Sequence, residues 1–153
     1  MSVSHPFTSD RAVADLLEGF ESCTWPFDQW THEAHLAVAT ACVREMPFNA
    51  AVERVRRGIQ RYNASAGRTS GYHETITLFF LHRVRDTVTT LPPGSTLADA
   101  VDVVIRACPM TILRTAYSTG VIESDAARTG WVEPDLAPLS TWAASTAHTR
   151  RSD

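Results

Sequence analysis

The stretch "THEAHLAVATACVREMP", residues 31–47, decides how this chain folds. Thr31 is a residue type that caps a helix start, Pro47 cannot continue one, and the spacing between them predicts a helix over 32–46. His32, His35, Leu36, Ala39, Cys42, Val43 and Met46 stand three or four apart and so share one stripe. Two histidines therefore open the stripe expected to face the core, while Glu33, Thr40 and Arg44 fall largely elsewhere. The pattern is not the HExxH arrangement of zinc proteases, in which the histidines stand four apart with a glutamate beside the first.

Working outward, helical spacing recurs and strand alternation does not. A helix over about 10–22 is capped by Ser9 or Asp10 and carries Val13, Leu16, Leu17 and Phe20 on one face. "CTWPFDQW", residues 23–30, is an aromatic loop broken by Pro26. A third helix, about 49–65, turns Val52, Val55, Ile59 and Tyr62 inward and Arg54, Arg57 and Arg61 to solvent. After "SAGRTSG" comes a fourth, about 72–91, whose β-branched residues need burial to hold them helical. A fifth spans about 96–107; Pro109 bends the chain into a short helix at about 110–119, and Ser124 or Asp125 caps a last turn closed by Gly130. "WVEPDLAPLS", residues 131–140, reads as an extended strap that lays Trp131, Leu136 and Leu139 across the bundle. The expectation is an all-α, compact single-domain bundle over residues 1–153, of about five to six helices with a C-terminal strap, and with loose tails at 1–8 and 145–153.

Composition narrows the chemistry. The 153 residues carry a net charge of −3 and 44% hydrophobic residues, which describes an ordinary globular chain. No apolar run approaches the roughly 18 residues of a membrane span, and the N-terminus lacks a basic start and apolar core, so a cytoplasmic location is the default expectation. All 14 basic residues are arginine. Without lysine there is no Schiff base and no P-loop, hence no nucleotide cofactor held that way. Cys23, Cys42 and Cys108 form no CxxC pair and read as small buried hydrophobes. The arginines of helix three lack interleaved aromatics in a net acidic chain, which argues against nucleic acid as a partner.

A second histidine leads another stripe. In "GYHETIT", residues 71–77, His73 precedes Thr77, Phe80, Val84, Val88 and Leu91, while His82 is expected to face water. In an up-and-down bundle helices two and four run the same way, so their starts meet. That would bring His32, His35 and His73 together, with Tyr72 and Glu74 beside them. Helix N-termini and burial both favour neutral imidazole, the ligand form. Three histidines with open positions suit a catalytic divalent transition metal, with zinc, iron and copper not distinguished and Glu74 as fourth ligand or general base. A histidine acid–base pair without metal, with Tyr117 or Arg128 holding an anion, is a second reading; structural histidines in a ligand- or partner-binding protein are a third. Trp25, Phe27 and Trp30 read as core plugs before substrate walls, and their place just ahead of His32 keeps the second role open.

The segments "WTHEAHL", "YHETIT", "YS" at 117–118 and "ESDAARTGWVEPDLAPL" at 123–139 resemble a group of small bacterial all-helical proteins, most without an assigned reaction. The resemblance implies shared positions at His32, His35, Tyr72, His73, Glu74, Thr75, Thr77, Tyr117, Ser118, Ser124, Arg128, Trp131, Pro134 and Asp135. Gly71 departs from it, standing where the group would carry a lysine. Taken together, the expectation is a small metal-assisted, lyase-like or hydrolase-like enzyme. It would carry out hydration, elimination or cyclisation of a small organic molecule, in biosynthesis. His32, His35 and His73 would hold the metal, Glu74, Tyr117 and Arg128 would act in catalysis, and Trp30, Tyr72, Thr77 and Arg128 would bind substrate.

Overall fold

The computed structural model describes residues 4–68 and 70–137. Five longer helices form its body: α1 (Asp10–Glu21), α2 (His32–Glu45), α3 (Phe48–Ser65), α4 (Glu74–Thr89) and α5 (Leu97–Ala107). Three short ones follow, α6 (Thr111–Ala116), α7 (Thr119–Ile122) and α8 (Asp125–Thr129). No strand occurs among the described residues, so the chain is all-α as its spacing predicts. The starts are set by side-chain caps: the hydroxyls of Ser9, Thr31, Thr96, Ser118 and Ser124 each accept an orphan backbone N–H at the head of α1, α2, α5, α7 and α8. None of the helices is long and apolar enough to cross a membrane, among the described residues.

Helix α2 is the axis of the bundle. Its single expected stripe is instead burial on nearly every side: Ala34, Leu36, Ala37, Val38, Ala39, Thr40, Ala41 and Cys42 are all buried, and α1, α3, α4 and α5 pack around it. Thr40, expected off the core face, is buried too and donates its hydroxyl to the Leu36 carbonyl at 2.8 Å, so its polarity is satisfied within the helix. At the far end Arg44 forks onto the carbonyls of Ser95 and Thr96, fastening the last turn of α2 to the first of α5.

Four expectations about position are corrected. Residues 4–8 are not loose: Phe7 is buried in the core, and the His5 ring accepts the Phe7 N–H and pairs with Asp102 on α5 at 3.1 Å. Arg54 is not a solvated residue but forks onto Glu21 at 2.5 and 2.8 Å, tying α3 to α1; Arg57 does face solvent, beside Glu53. His82 is not wet, because α4 turns it between Phe48 and Trp131, at 5.1 and 5.9 Å between ring centres. The strap uses hydrogen bonds rather than leucine burial. Tyr117 donates its hydroxyl to the Val132 carbonyl, Thr75 donates to Gly130 at 2.6 Å and accepts the Val132 N–H, and Leu136 is 54% exposed. Leu139 and the tail at 145–153 lie outside the described residues.

Helices α1 and α3 meet at Gly58, where an added Cβ would lie 2.5 Å from the Phe20 ring. That ring cannot move away freely, being stacked at 4.7 Å on Trp30 and at 5.7 Å against Tyr62. Gly58→Ala is therefore expected to destabilise the fold by about 1–2 kcal/mol, overpacking outweighing the better helix propensity of alanine. Urea denaturation measures it, and Phe20→Leu in the same chain should recover part of the loss; additive losses would show that the two sites do not touch.

Candidate functional site

The early turns of α2 and α4 do face the same space. A cavity of about 350 Å³ is lined by His32, His35, Leu36 and Ala39 from α2, Val55 and Ile59 from α3, Ile76, Thr77, Phe80 and Leu81 from α4, and Met110 at the head of α6. Its walls are apolar apart from the two imidazoles and the Thr77 hydroxyl. Met110, 45% exposed, stands at its rim.

The hydrogen bonds fix the chemistry of both rings. His32 donates from Nε2 to the Cys108 carbonyl at 2.8 Å, and His35 donates from Nδ1 to the Thr31 carbonyl at 2.8 Å. A carbonyl only accepts, so in the neutral imidazole the other nitrogen of each ring must carry a lone pair. Neither Nδ1 of His32 nor Nε2 of His35 has a hydrogen-bond partner among the described residues. Burial pushes His35 down to about 4, against the partly compensating Thr31 carbonyl, so its ring is uncharged at neutral pH. Trp30 covers that ring, with ring centres 3.9 Å apart, while also stacking on Phe20 and meeting Tyr62. It is at once core plug and wall of the histidine.

His73 does not join the pair. It is the N-cap of α4: Nδ1 accepts the Ile76 N–H at 3.1 Å, and Nε2 donates to the Ile122 carbonyl at 2.7 Å. Both nitrogens are used, so no lone pair is left for an ion, and the ring stitches α4 to α7. The expected three-histidine metal centre is therefore not assembled. Among the described residues no group of three or more histidine, cysteine, aspartate or glutamate side chains could hold a metal ion.

The other expected site residues divide between two places. Tyr72, Glu74 and Arg128 come together with Arg56, Gln60 and Ser70 around a polar cleft of about 510 Å³. Burial would raise the Glu74 carboxyl, but Arg56 forks onto it at 3.0 and 2.6 Å and Tyr72 donates to it at 2.6 Å; together these hold it below the usual carboxylate value. So held, Glu74 is a poor general base. Arg128 is exposed and has no ion pair among the described residues; Asp135, its alternative partner, accepts the Ser118 N–H instead. Tyr117 does not share its pocket. It is buried beside Phe79, its hydroxyl is spent on Val132, and burial raises its pKa, so the catalytic role expected of it is not available. Thr77 lines the histidine cavity but donates to the His73 carbonyl at 2.8 Å. Burial likewise drives the Cys42 thiol up to about 11, which removes it as a nucleophile.

Sequence reasoning missed Cys108 and Met110 as parts of this region, and gave Thr75 only as a position of the resemblance, without a role. Thr75 falls on the buried side of the first turn of α4, but nothing in its neighbours announces that it staples the strap. Cys108 contributes through its carbonyl, which any residue would supply, so no side-chain signal exists for it. No protein-family model, curated protein or solved structure matches the chain.

Two outcomes follow for the histidines. His73→Ala should cost about 1–3 kcal/mol by removing a cap and stranding the Ile122 carbonyl, whereas His73→Asn should restore part of this by capping α4; thermal denaturation distinguishes them, and equal stability of all three proteins would refute the capping role. His35 and His82 are both pushed down to about 4 by burial. Unfolded histidine titrates near 6.5, so the folded state binds fewer protons and stability is whole above about pH 6.5 and lost as pH falls toward 4. NMR titration of the two rings should show no protonation above about pH 5; midpoints near 6.5 would contradict it.

Proposed function

We propose that this chain binds a small, largely apolar organic molecule in the cavity between α2, α3 and α4, with His32 and His35 receiving its polar group. The observation behind this reading is the joint presence of apolar walls and two oriented imidazoles, each held by a backbone carbonyl and each with one unused nitrogen. A cavity of about 350 Å³ is at the small end of the roughly 300–1,000 Å³ typical of ligand sites, and a few placed polar groups in an apolar wall are their usual composition. Met110 at the rim gives the ligand a flexible side chain to pass.

A second reading, acid–base catalysis without metal, is favoured by one feature. His32 and His35 are oriented by carbonyl acceptors as catalytic imidazoles commonly are, and stand in the same cavity. Against it, burial makes His35 a weak base, and Glu74 and Tyr117, the acids and bases expected beside it, are engaged elsewhere. Binding is therefore the conclusion, and turnover its extension.

Ala39 is 5% exposed on the cavity wall, so Ala39→Leu places three more carbons in the space, one turn beyond His35, while keeping both imidazoles in the chain. The variant should fold with unchanged or slightly raised melting temperature and lose at least tenfold in affinity for 2-naphthol, used as a probe and followed by calorimetric titration. Undiminished binding by the folded variant would place the ligand outside this cavity.

A further inference from the structure

We infer that the cavity selects an uncharged molecule bearing an O–H or N–H donor, such as a phenol or an alcohol, over both a pure hydrocarbon and a carboxylate. The inference rests on the cavity proposed above and adds the class of ligand. It follows from an inventory of the polar atoms in the wall. The proton of His32 is spent on the Cys108 carbonyl, that of His35 on the Thr31 carbonyl, and that of Thr77 on the His73 carbonyl. What this wall turns to a ligand is therefore acceptor capacity alone, from Nδ1 of His32 and Nε2 of His35, since the Thr77 hydroxyl also meets the Tyr72 side chain. No arginine, aspartate or glutamate lines the space, and the remaining walls are aliphatic, aromatic or thioether.

Such a site discriminates in two directions. An acceptor-only group, above all a carboxylate, would enter without a donor to meet it and would lose its hydration uncompensated. A hydrocarbon would fill the walls but leave the ring nitrogens unpaired and dry, which costs what an unsatisfied buried acceptor costs. An alcohol or phenol satisfies a ring nitrogen through its proton while its carbon skeleton lies against Leu36, Val55, Ile59 and Phe80. Sites built to pair a ligand hydroxyl reject the analogue lacking it far more strongly than an apolar pocket rejects a missing methylene.

The test compares three probes of one shape, 2-naphthol, 2-methylnaphthalene and 2-naphthoate, against the native chain at pH 7.5. Affinities come from calorimetry, and the imidazole ¹⁵N resonances of His32 and His35 are followed by NMR. The expected result is that 2-naphthol binds at least tenfold tighter than either analogue and shifts an unprotonated ring nitrogen. His35→Asn, which can keep a donor to the Thr31 carbonyl while removing Nε2, should then reduce the preference for 2-naphthol over 2-methylnaphthalene. Equal binding of 2-naphthol and 2-methylnaphthalene at this cavity would overturn the donor requirement while leaving the apolar binding site intact. Tighter binding of 2-naphthoate would overturn it by revealing a cation that the wall does not contain. If none of the three binds at millimolar concentration, the binding site itself falls with it.

Discussion

Everything in this fold leans on how thin α2 is. Ala34, Ala37, Ala39 and Ala41, with Val38 and Cys42, give it a surface that four neighbouring helices approach at once, and all six residues are buried. Small side chains make such close approach feasible and lose little rotamer freedom on burial, so a helix without much area of its own becomes the element that the others cover. The same thinness creates the cavity. Where Ala39 faces α3 and α4, the larger Val55, Ile59, Ile76 and Phe80 meet across a space that no α2 side chain fills.

The histidines show how the backbone decides what a side chain can do. His32, His35 and His73 sit at or next to helix starts, where backbone N–H groups lack internal partners. His73 is drawn into that deficit and becomes a cap, spending one nitrogen on Ile76 and the other on Ile122. At α2 the deficit is met by the Thr31 hydroxyl, which accepts the Ala34 N–H at 3.2 Å. His32 and His35 are thereby released to bond carbonyls from one nitrogen and to turn the other elsewhere. Which histidine caps and which is left to line the cavity follows from whether a hydroxyl precedes the helix.

Helices α3 and α4 separate two unlike spaces. On one side Val55, Ile59 and Ile76 wall the apolar cavity; on the other Arg56, Gln60 and Glu74, their neighbours along the same helices, line the polar cleft. A helix places adjacent residues about 100° apart, so Val55 and Ile59, four apart, share one face and Arg56 and Gln60, also four apart, share the next. Glu74, Arg56, Glu53 and Arg57 form a chain of ion pairs in which the charges balance, which leaves Arg128 as the cation of that cleft without an ion pair among the described residues. The residues that the sequence presents together in "YHET" thus serve different ends: Tyr72 and Glu74 the cleft, His73 the cap, Thr75 the strap.

By itself the sequence determined the helical class, the main helices to within a few residues and the caps of α1, α2 and α8, because hydroxyl caps, prolines and three-to-four spacing act locally. It also determined that His32 and His35 share a face, since three residues on a helix allow nothing else. Tertiary structure alone decided the rest. The all-round burial of α2 depends on how many neighbours come close, which periodicity does not encode. His82 is half-buried because Trp131, nearly fifty residues on, packs against it. His73 is a cap instead of a ligand because the Ile122 carbonyl lies within reach of its ring. These outcomes depend on distances between segments remote along the chain, and a distance of that kind exists only once the bundle has closed.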